Sequence, residues 1–209
     1  MKILSYYIIP LLLFCSMPIY SAGTISGGLY LGYQYDADNL SGKAVDADLQ
    51  QNVAVGGLLR IDLGILFFRT GADFSYPFEK GRIHNSSAGD ITGTDSWFVE
   101  VPVYAGLGIP VRDYGMFYMG AGGSYIFGMG SVSATSGNEQ INEQLFGWGF
   151  IAGIESVVSN DLSLFVEWEY MTVSSSPFAS SGTGTYNDYY MDYTGNRYRL
   201  GVMYHFNRY

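Results

Sequence analysis

The sequence predicts an eight-stranded antiparallel up-and-down β-barrel that crosses a membrane. Three observations support this: apolar and polar residues alternate in eight segments, the composition is unusual, and the connections alternate between short and long. Aromatic residues make up 17% of the 209 residues and 28 are glycine, whereas only 14% are charged. Soluble domains contain about 25% charged residues. Beyond residue 22 no apolar run is long enough for a membrane helix, so strands are expected to span the bilayer.

The alternation is clearest in the last segment, residues 196–206. Its apolar positions are Tyr198, Leu200, Val202, Tyr204 and Phe206, and the residues between them include Arg197, Arg199 and His205. A period of two places these sets on opposite faces of a strand. The same pattern predicts strands at residues 24–35, 52–63, 66–78, 97–108, 114–130, 145–157 and 162–173.

Short turns are predicted at Gly64, 109–113 and 159–161, and long polar loops at 36–50, 79–96, 131–144 and 174–195. In an up-and-down barrel every second connection lies on the same side of the membrane. The short turns are therefore expected in the periplasm and the long loops at the cell surface, where they could bind extracellular ligands.

The N-terminus predicts an export signal. Lys2 precedes an apolar run over residues 3–19, and small residues follow up to Ala22, which is the pattern of a cleaved signal peptide. We expect residues 1–22 to be this signal and 23–209 to be one barrel domain. A transmembrane helix is disfavoured by Pro10 and Pro18, and lipidation at Cys15 is disfavoured by the bulky Phe14 before it.

The apolar faces could meet lipid, or they could meet each other inside a water-soluble exported barrel of the lipocalin kind. The polar faces are rich in glycine and lack lysine, unlike a strand surface in water. Aromatic residues also end the apolar faces near the long loops, as in the headgroup belt of a membrane barrel. These residues are Tyr35, Tyr76, Trp97, Phe127, Phe146 and Tyr170. Membrane lipid is thus the predicted partner of the outer wall.

The polar faces would then bring charges of both signs into the lumen. Small barrels are filled by side chains, and a lone buried charge costs several kcal/mol, so pairing is expected. Arginine suits this because its planar fork can bridge two carboxylates. The predicted lumen network comprises Arg60, Asp62, Arg69, Asp73, Glu100, Glu155, Glu167, Glu169, Arg197 and Arg199. The network could be a structural plug or a gated conduction path.

The chain resembles the small outer-membrane β-barrel proteins typified by the membrane domain of OmpA, by OmpX and by OmpW. The resemblance is carried by residues 98–107 (FVEVPVYAGL), 117–122 (FYMGAG) and the terminal 204–206 (YHF). It implies an outer-membrane location, and it implies that Tyr204 and Phe206, or Tyr209 at the chain end, form the signal for the barrel-assembly machinery. These are signatures of fold and do not choose a function.

Catalysis and cofactor binding are not expected. His84 has Asp90 and Asp95 nearby, but all three lie on a Ser/Gly-rich loop that would not fix a catalytic geometry. His205 is expected to be a packed residue inside the barrel. Four aspartates in the first loop lack the spacing of a calcium loop; they are Asp36, Asp38, Asp46 and Asp48. The net charge of −9 and the absence of a basic patch argue against nucleic acid.

Two functions remain open from the sequence. The first is a monomeric structural or surface-interaction protein with a filled polar lumen and long surface loops. The alternative is a narrow channel or transporter for small hydrophobic molecules, as the OmpW branch of the resemblance implies. It is favoured by apolar residues at inward positions, which are Phe67, Phe98, Ile151, Phe165 and Met203.

Overall fold

The computed structural model describes residues 23–36, 40–41, 46–47, 51–79, 81–84, 91–111, 114–134, 137–174, 190–191 and 194–206. Twelve strands lie in these ranges: β1 (Thr24–Asp36), β2 (Leu40–Ser41), β3 (Asp46–Ala47), β4 (Gln51–Leu63), β5 (Leu66–Glu79), β6 (Gly81–His84), β7 (Ile91–Val111), β8 (Gly115–Ala134), β9 (Gly137–Val157), β10 (Leu162–Ser174), β11 (Tyr190–Met191) and β12 (Gly195–His205). The described part of the chain has no helix long and apolar enough to cross a membrane.

Eight of these strands close into a barrel, in the order β7, β5, β4, β1, β12, β10, β9 and β8, with β8 pairing back onto β7. All of these pairings are antiparallel, and the first strand meets the last from Ser26 opposite His205 to Asp36 opposite Gly195. Closure leaves no free edge within the barrel wall, as lipid requires. The predicted eight-stranded up-and-down barrel is confirmed.

The two faces of each barrel strand are sharply different. In β12, Leu200 is 61% exposed whereas the neighbouring Arg199 is 2% exposed. Leu31, opposite Leu200 in β1, is 70% exposed. Apolar side chains therefore form the outer wall and the arginines point to the axis, because a period-two pattern cannot place both on one side.

Aromatic side chains surround the outer wall at both ends. Near the long loops, Tyr76, Phe127, Phe146 and Tyr170 are exposed, and Trp97 packs against Phe74 with ring centroids 5.8 Å apart. The side chain of Tyr35 lies outside the described residues. A second set, which the sequence analysis did not predict as a girdle, lies near the short turns: Phe68, Tyr114, Phe117, Tyr204 and Phe206. Two such girdles are typical of membrane barrels.

The predicted loops at 79–96 and 131–144 are wrong in extent. The first contains β6 and the start of β7, and in the second β8 runs to Ala134 before β9 begins at Gly137. The predicted turn at 109–113 also begins too early, since β7 continues to Val111. The sequence analysis interpreted these segments as loops because they are polar on both faces. A β-hairpin that projects into water is also polar on both faces, and its backbone N–H and C=O groups still pair with each other.

The other two predicted loops, 36–50 and 174–195, contain short paired strands. Tyr190 and Met191 of β11 lie opposite Ser41 and Leu40 of β2. At the opposite end the turns are tight. Gly64, between β4 and β5, has a φ of 68°, a left-handed conformation that glycine adopts without steric cost. Long and short connections are thus segregated, as in an up-and-down barrel.

Candidate functional site: the barrel lumen

Charged side chains fill the lumen in two layers. The central layer lies around Arg199 and the periplasmic layer around Arg60, near the short turns. Every predicted member of the network points inward and is buried except Asp62, whose side chain is 17% exposed. Each strand contributes inward residues at every second position, so residues far apart in the sequence meet across the axis.

Arg199 is the centre of the central layer. Its Nη2 lies 2.8 Å from Asp73 Oδ2 and 2.7 Å from Glu169 Oε2, and its Nη1 lies 2.9 Å from Glu167 Oε1. Its guanidinium carbon also lies 5.2 Å from the ring centre of Tyr30. One arginine on the last strand therefore joins β5 and β10 across the lumen, which is the bridging role that a planar fork permits.

Two further arginines complete this layer. Arg69 pairs with Glu167, and Arg197 pairs with Glu100 and, at 3.5 Å, with Glu169. Hydroxyl groups donate to one oxygen of each of the three glutamates. Tyr104 donates to Glu169 and Ser124 to Glu100, and Tyr118 donates to Glu167 at 3.0 Å. The layer is a connected network in which most carboxylates have two or more donors.

The periplasmic layer joins the two ends of the barrel. Arg60 Nε lies 3.0 Å from Asp62 and its Nη2 lies 2.6 Å from Glu155. His205 Nε2 lies 3.0 Å from Glu155 Oε1 and 2.5 Å from Ser163 Oγ. The remaining ring nitrogen, Nδ1, lies 2.8 Å from Ser26 Oγ. Side chains of β1, β4, β9, β10 and β12 meet here, so the cluster links the first strand to the last.

The periplasmic cluster contains serine, histidine and glutamate, which are the residue types of a catalytic triad. Ser26 and Ser163 are both fully buried, however, and a nucleophile must reach its substrate. The geometry is that of a packed polar cluster. Within the described ranges no group of three or more His, Cys, Asp or Glu could hold a metal ion.

Three apolar clusters fill the space that the charges leave. The first, towards the long loops, contains Phe98, Ile126, Leu145, Met171 and Val173. The second contains Tyr30, Leu58, Phe165 and Met203. The third contains Phe67, Tyr104, Tyr118 and Ile151. All five inward apolar residues singled out in the sequence belong to one of these clusters. The lumen is therefore packed by both ionic and apolar side chains.

Some predicted residues lie outside this arrangement. Tyr204 and Phe206 point to the outer wall and their rings are 5.3 Å apart. Tyr209, the side chain of His84, and the aspartates at 36, 38, 46, 48, 90 and 95 lie outside the residues whose side chains are described. The sequence analysis missed the hydroxyl partners Ser26, Tyr104, Tyr118, Ser124 and Ser163. Their inward position in the alternating pattern was the available signal.

The chain is similar to known outer-membrane barrels. The model of the outer membrane protein beta-barrel domain matches residues 8–206. The crystal structure of OprG from Pseudomonas aeruginosa matches 90% of this chain and 98% of that chain, with 9% identity and a TM-score of 0.62. Neisserial surface protein A matches 88% of this chain and 99% of its own, with 12% identity and a TM-score of 0.58. No curated protein sequence matches. At these identities the structural likeness concerns the fold alone.

Proposed function

Because the chain belongs to the family of outer membrane protein beta-barrel domains, and so lies in the outer membrane, we propose that it is a structural and surface-interaction protein. Its barrel holds strands and loops at the cell surface, and its outer wall meets membrane lipid. It acts as a monomer, without catalysis or a cofactor. Tyr204 and Phe206, or Tyr209, serve as its signal for the barrel-assembly machinery.

The length of three strands carries this proposal. β7, β8 and β9 contain 21, 20 and 21 residues, whereas about 9–11 residues suffice to cross a bilayer. Val157, at the end of β9 near a short turn, lies opposite Ser163 near the start of β10, whereas Ser174 at the other end of β10 lies opposite Phe146. Residues 137–145 of β9 therefore project beyond β10 on the side of the long loops. A filled lumen beneath a projecting sheet favours interaction at the surface over free passage of solutes.

Protease treatment of intact cells tests the surface role. Cleavage is expected on the side of the long loops, within residues 37–50, 80–90, 135–136 and 175–194, with the membrane-spanning part of each barrel strand recovered whole. Antibodies to residues 131–144 are expected to label unbroken cells. Antibody labelling of lysed cells measures the total amount of the epitope and serves as the control. Loops that stay uncut and unlabelled on intact cells, but react after lysis, would contradict a surface position.

A second candidate function, a path for small hydrophobic molecules, is supported by a gap between β5 and β7. The register pairs Thr70 with Val103 and resumes at Asp73 with Glu100, so Gly71 and Ala72 have no ladder partner in β7. Pro102 lies opposite this gap and has no N–H to donate. Its carbonyl instead accepts a hydrogen bond from the Thr70 hydroxyl at 3.0 Å.

The outer wall is shallow beside this gap. Gly27, Gly57 and Ala72 lie on the lipid side of three adjacent strands and line an apolar depression together with Leu59, Thr70 and Gly71. Unpaired backbone in lipid costs free energy, which weakens the wall at this seam. The seam thus offers a lateral route between the bilayer and the lumen.

Replacing Pro102 with valine restores the missing N–H and should close the seam. If the lateral route operates, entry of a small fluorescent hydrophobic probe into vesicles that contain the protein is expected to fall to the protein-free rate. Pro110→Val, at the exposed periplasmic end of the same strand, is the matched control and should leave entry unchanged. Equal entry in the native protein and the Pro102 variant would eliminate this function.

A further inference from the structure

On the side of the long loops, part of the barrel continues as an open sheet. Val132 of β8 lies between Thr94 of β7 and Glu139 of β9, so these three strands stay paired beyond the barrel wall. β6 pairs with the start of β7, with Ile83 opposite Ile91, and β3 pairs with β6. The order of this outer sheet is therefore β3, β6, β7, β8 and β9, and its β7 side is covered by further strands.

The other side of the outer sheet is the edge of β9. β10 ends at Ser174, opposite Phe146, whereas β9 begins at Gly137. Among the residues that the structure describes, only β8 pairs with residues 137–145. Alternate residues of an edge strand direct their N–H and C=O groups away from the sheet. Pro177, shortly after β10, lacks the N–H that a strand continuing beside β9 would need.

This edge has few of the features that prevent pairing with another chain. Natural edge strands are protected by proline, lysine or a β-bulge. Residues 137–145, with the sequence GNEQINEQL, contain neither proline nor lysine. The register of β9 against β8 is also continuous from Ser156 opposite Gly115 to Gly137 opposite Ala134, without a bulge. The backbone of the edge is therefore regular enough to pair with an additional strand.

The two charges of the edge restrict which strand can be added. Glu139 and Glu143 occupy alternate positions with Ile141 between them, and alternate positions share one face of a strand. Opposite charges on directly paired residues stabilise a sheet, and like charges destabilise it. A second copy of this chain fits poorly, because pairing the two edges would bring the glutamates of both copies onto one face. The net charge of −9 on each copy adds to this repulsion.

We propose that residues 137–145 bind an extended, basic segment of another protein, which adds to the outer sheet as a strand beside β9. The segment has two lysines or arginines four positions apart, opposite Glu139 and Glu143, and an apolar residue midway, opposite Ile141. Backbone hydrogen bonds supply the affinity and the side-chain pairs supply the selectivity. The inference rests on the proposed surface role and names the class of partner for it.

Binding of a labelled peptide to the full chain in lipid nanodiscs tests this by fluorescence anisotropy. The peptide VTKTVTKTV places lysines opposite Glu139 and Glu143 in either strand direction. Replacing both lysines with glutamate should weaken binding about tenfold. N-methylation of alternate peptide amides should abolish binding in one of the two possible sets and spare it in the other. Equal binding of the lysine and glutamate peptides, or binding that neither methylated set affects, would overturn the proposal.

A charge reversal on the protein tests the same pairing from the other side. Glu143→Lys should weaken binding of the lysine peptide about fivefold and strengthen binding of the glutamate peptide. Asp161→Lys, in the exposed turn before β10, changes the net charge equally and is the matched control, which should bind as the native protein does. If the two variants lose the same affinity, the attraction is one of overall charge and the proposed site is wrong.

Hydrogen exchange on the unaltered protein keeps the test independent of the variants. Alternate amides in residues 137–145 should exchange rapidly in the free protein and become protected when the lysine peptide is added. Slow exchange of all these amides in the free protein would overturn the proposal, since the edge would then already be paired, by residues 175–189 or by a second copy. Surface labelling of intact cells without peptide binding would reject this inference and leave the proposed surface role standing.

Discussion

Replacing Arg199 with methionine should lower the free energy of unfolding by about 3–5 kcal/mol, because it leaves buried carboxylates without their shared cation. Arg199 contacts Asp73, Glu167 and Glu169 within 3 Å, and is 2% exposed, so water cannot replace it. Methionine keeps much of the side-chain volume, which limits the effect to the lost charge. Urea unfolding in lipid vesicles, followed by tryptophan fluorescence, measures the change.

Two controls separate charge from packing in that experiment. Leu200→Ala, at the adjacent outward position, should change stability by much less, because the side chain is exposed to lipid. Adding Asp73→Asn and Glu169→Gln to Arg199→Met should recover part of the lost free energy of unfolding. The neutral amides do not require the positive charge that Arg199 supplied. If the triple variant is no more stable than Arg199→Met, the ionic account of the lumen is wrong.

A charged side chain on the outer wall should also lower the free energy of unfolding, by an amount that depends on its depth in the bilayer. Leu200 is at the centre of β12, between Leu31 and Val166 on the neighbouring strands, and all three are exposed. Leu200→Arg is expected to cost about 2–4 kcal/mol, the range for arginine at the bilayer midplane. The same unfolding assay in vesicles measures it.

The matched control lies on the same face of the same strand. Tyr204→Arg, near the periplasmic girdle, should cost only about 0–1 kcal/mol because the long side chain reaches the interface. A water-facing wall would tolerate both substitutions equally. Equal and small costs at the two positions would therefore contradict the assignment of the faces.

The wall of the barrel was predictable because one physical rule governs it. A strand between lipid and a filled lumen must alternate, so Leu200 and Arg199 could be assigned to opposite faces from sequence alone. The ends of β8 and β9 were not predictable in this way. Beyond the bilayer both faces meet water, the alternation disappears, and polarity no longer distinguishes a paired strand at Gly137 from a loop.

Within the lumen the sequence indicated the members but not their contacts. Charges on inward positions had to pair, yet the alternation does not say that Arg199 would reach Asp73 and two glutamates, or that His205 would meet Ser26. Those contacts depend on the order and stagger of the strands around the closed ring, which a local pattern does not contain. The gap at Pro102 likewise appears only when the register of β5 against β7 is known.

Quenching of the intrinsic tryptophan fluorescence tests the central claim most directly, namely that apolar side chains meet acyl chains while the charges face the axis. Trp148 and Trp168 are exposed on the outer wall, and Trp97 packs against the outward Phe74. In vesicles of phospholipid with brominated acyl chains, most of the emission should be quenched, and aqueous iodide should have little effect. Emission that resists brominated lipid but falls with iodide would contradict the account.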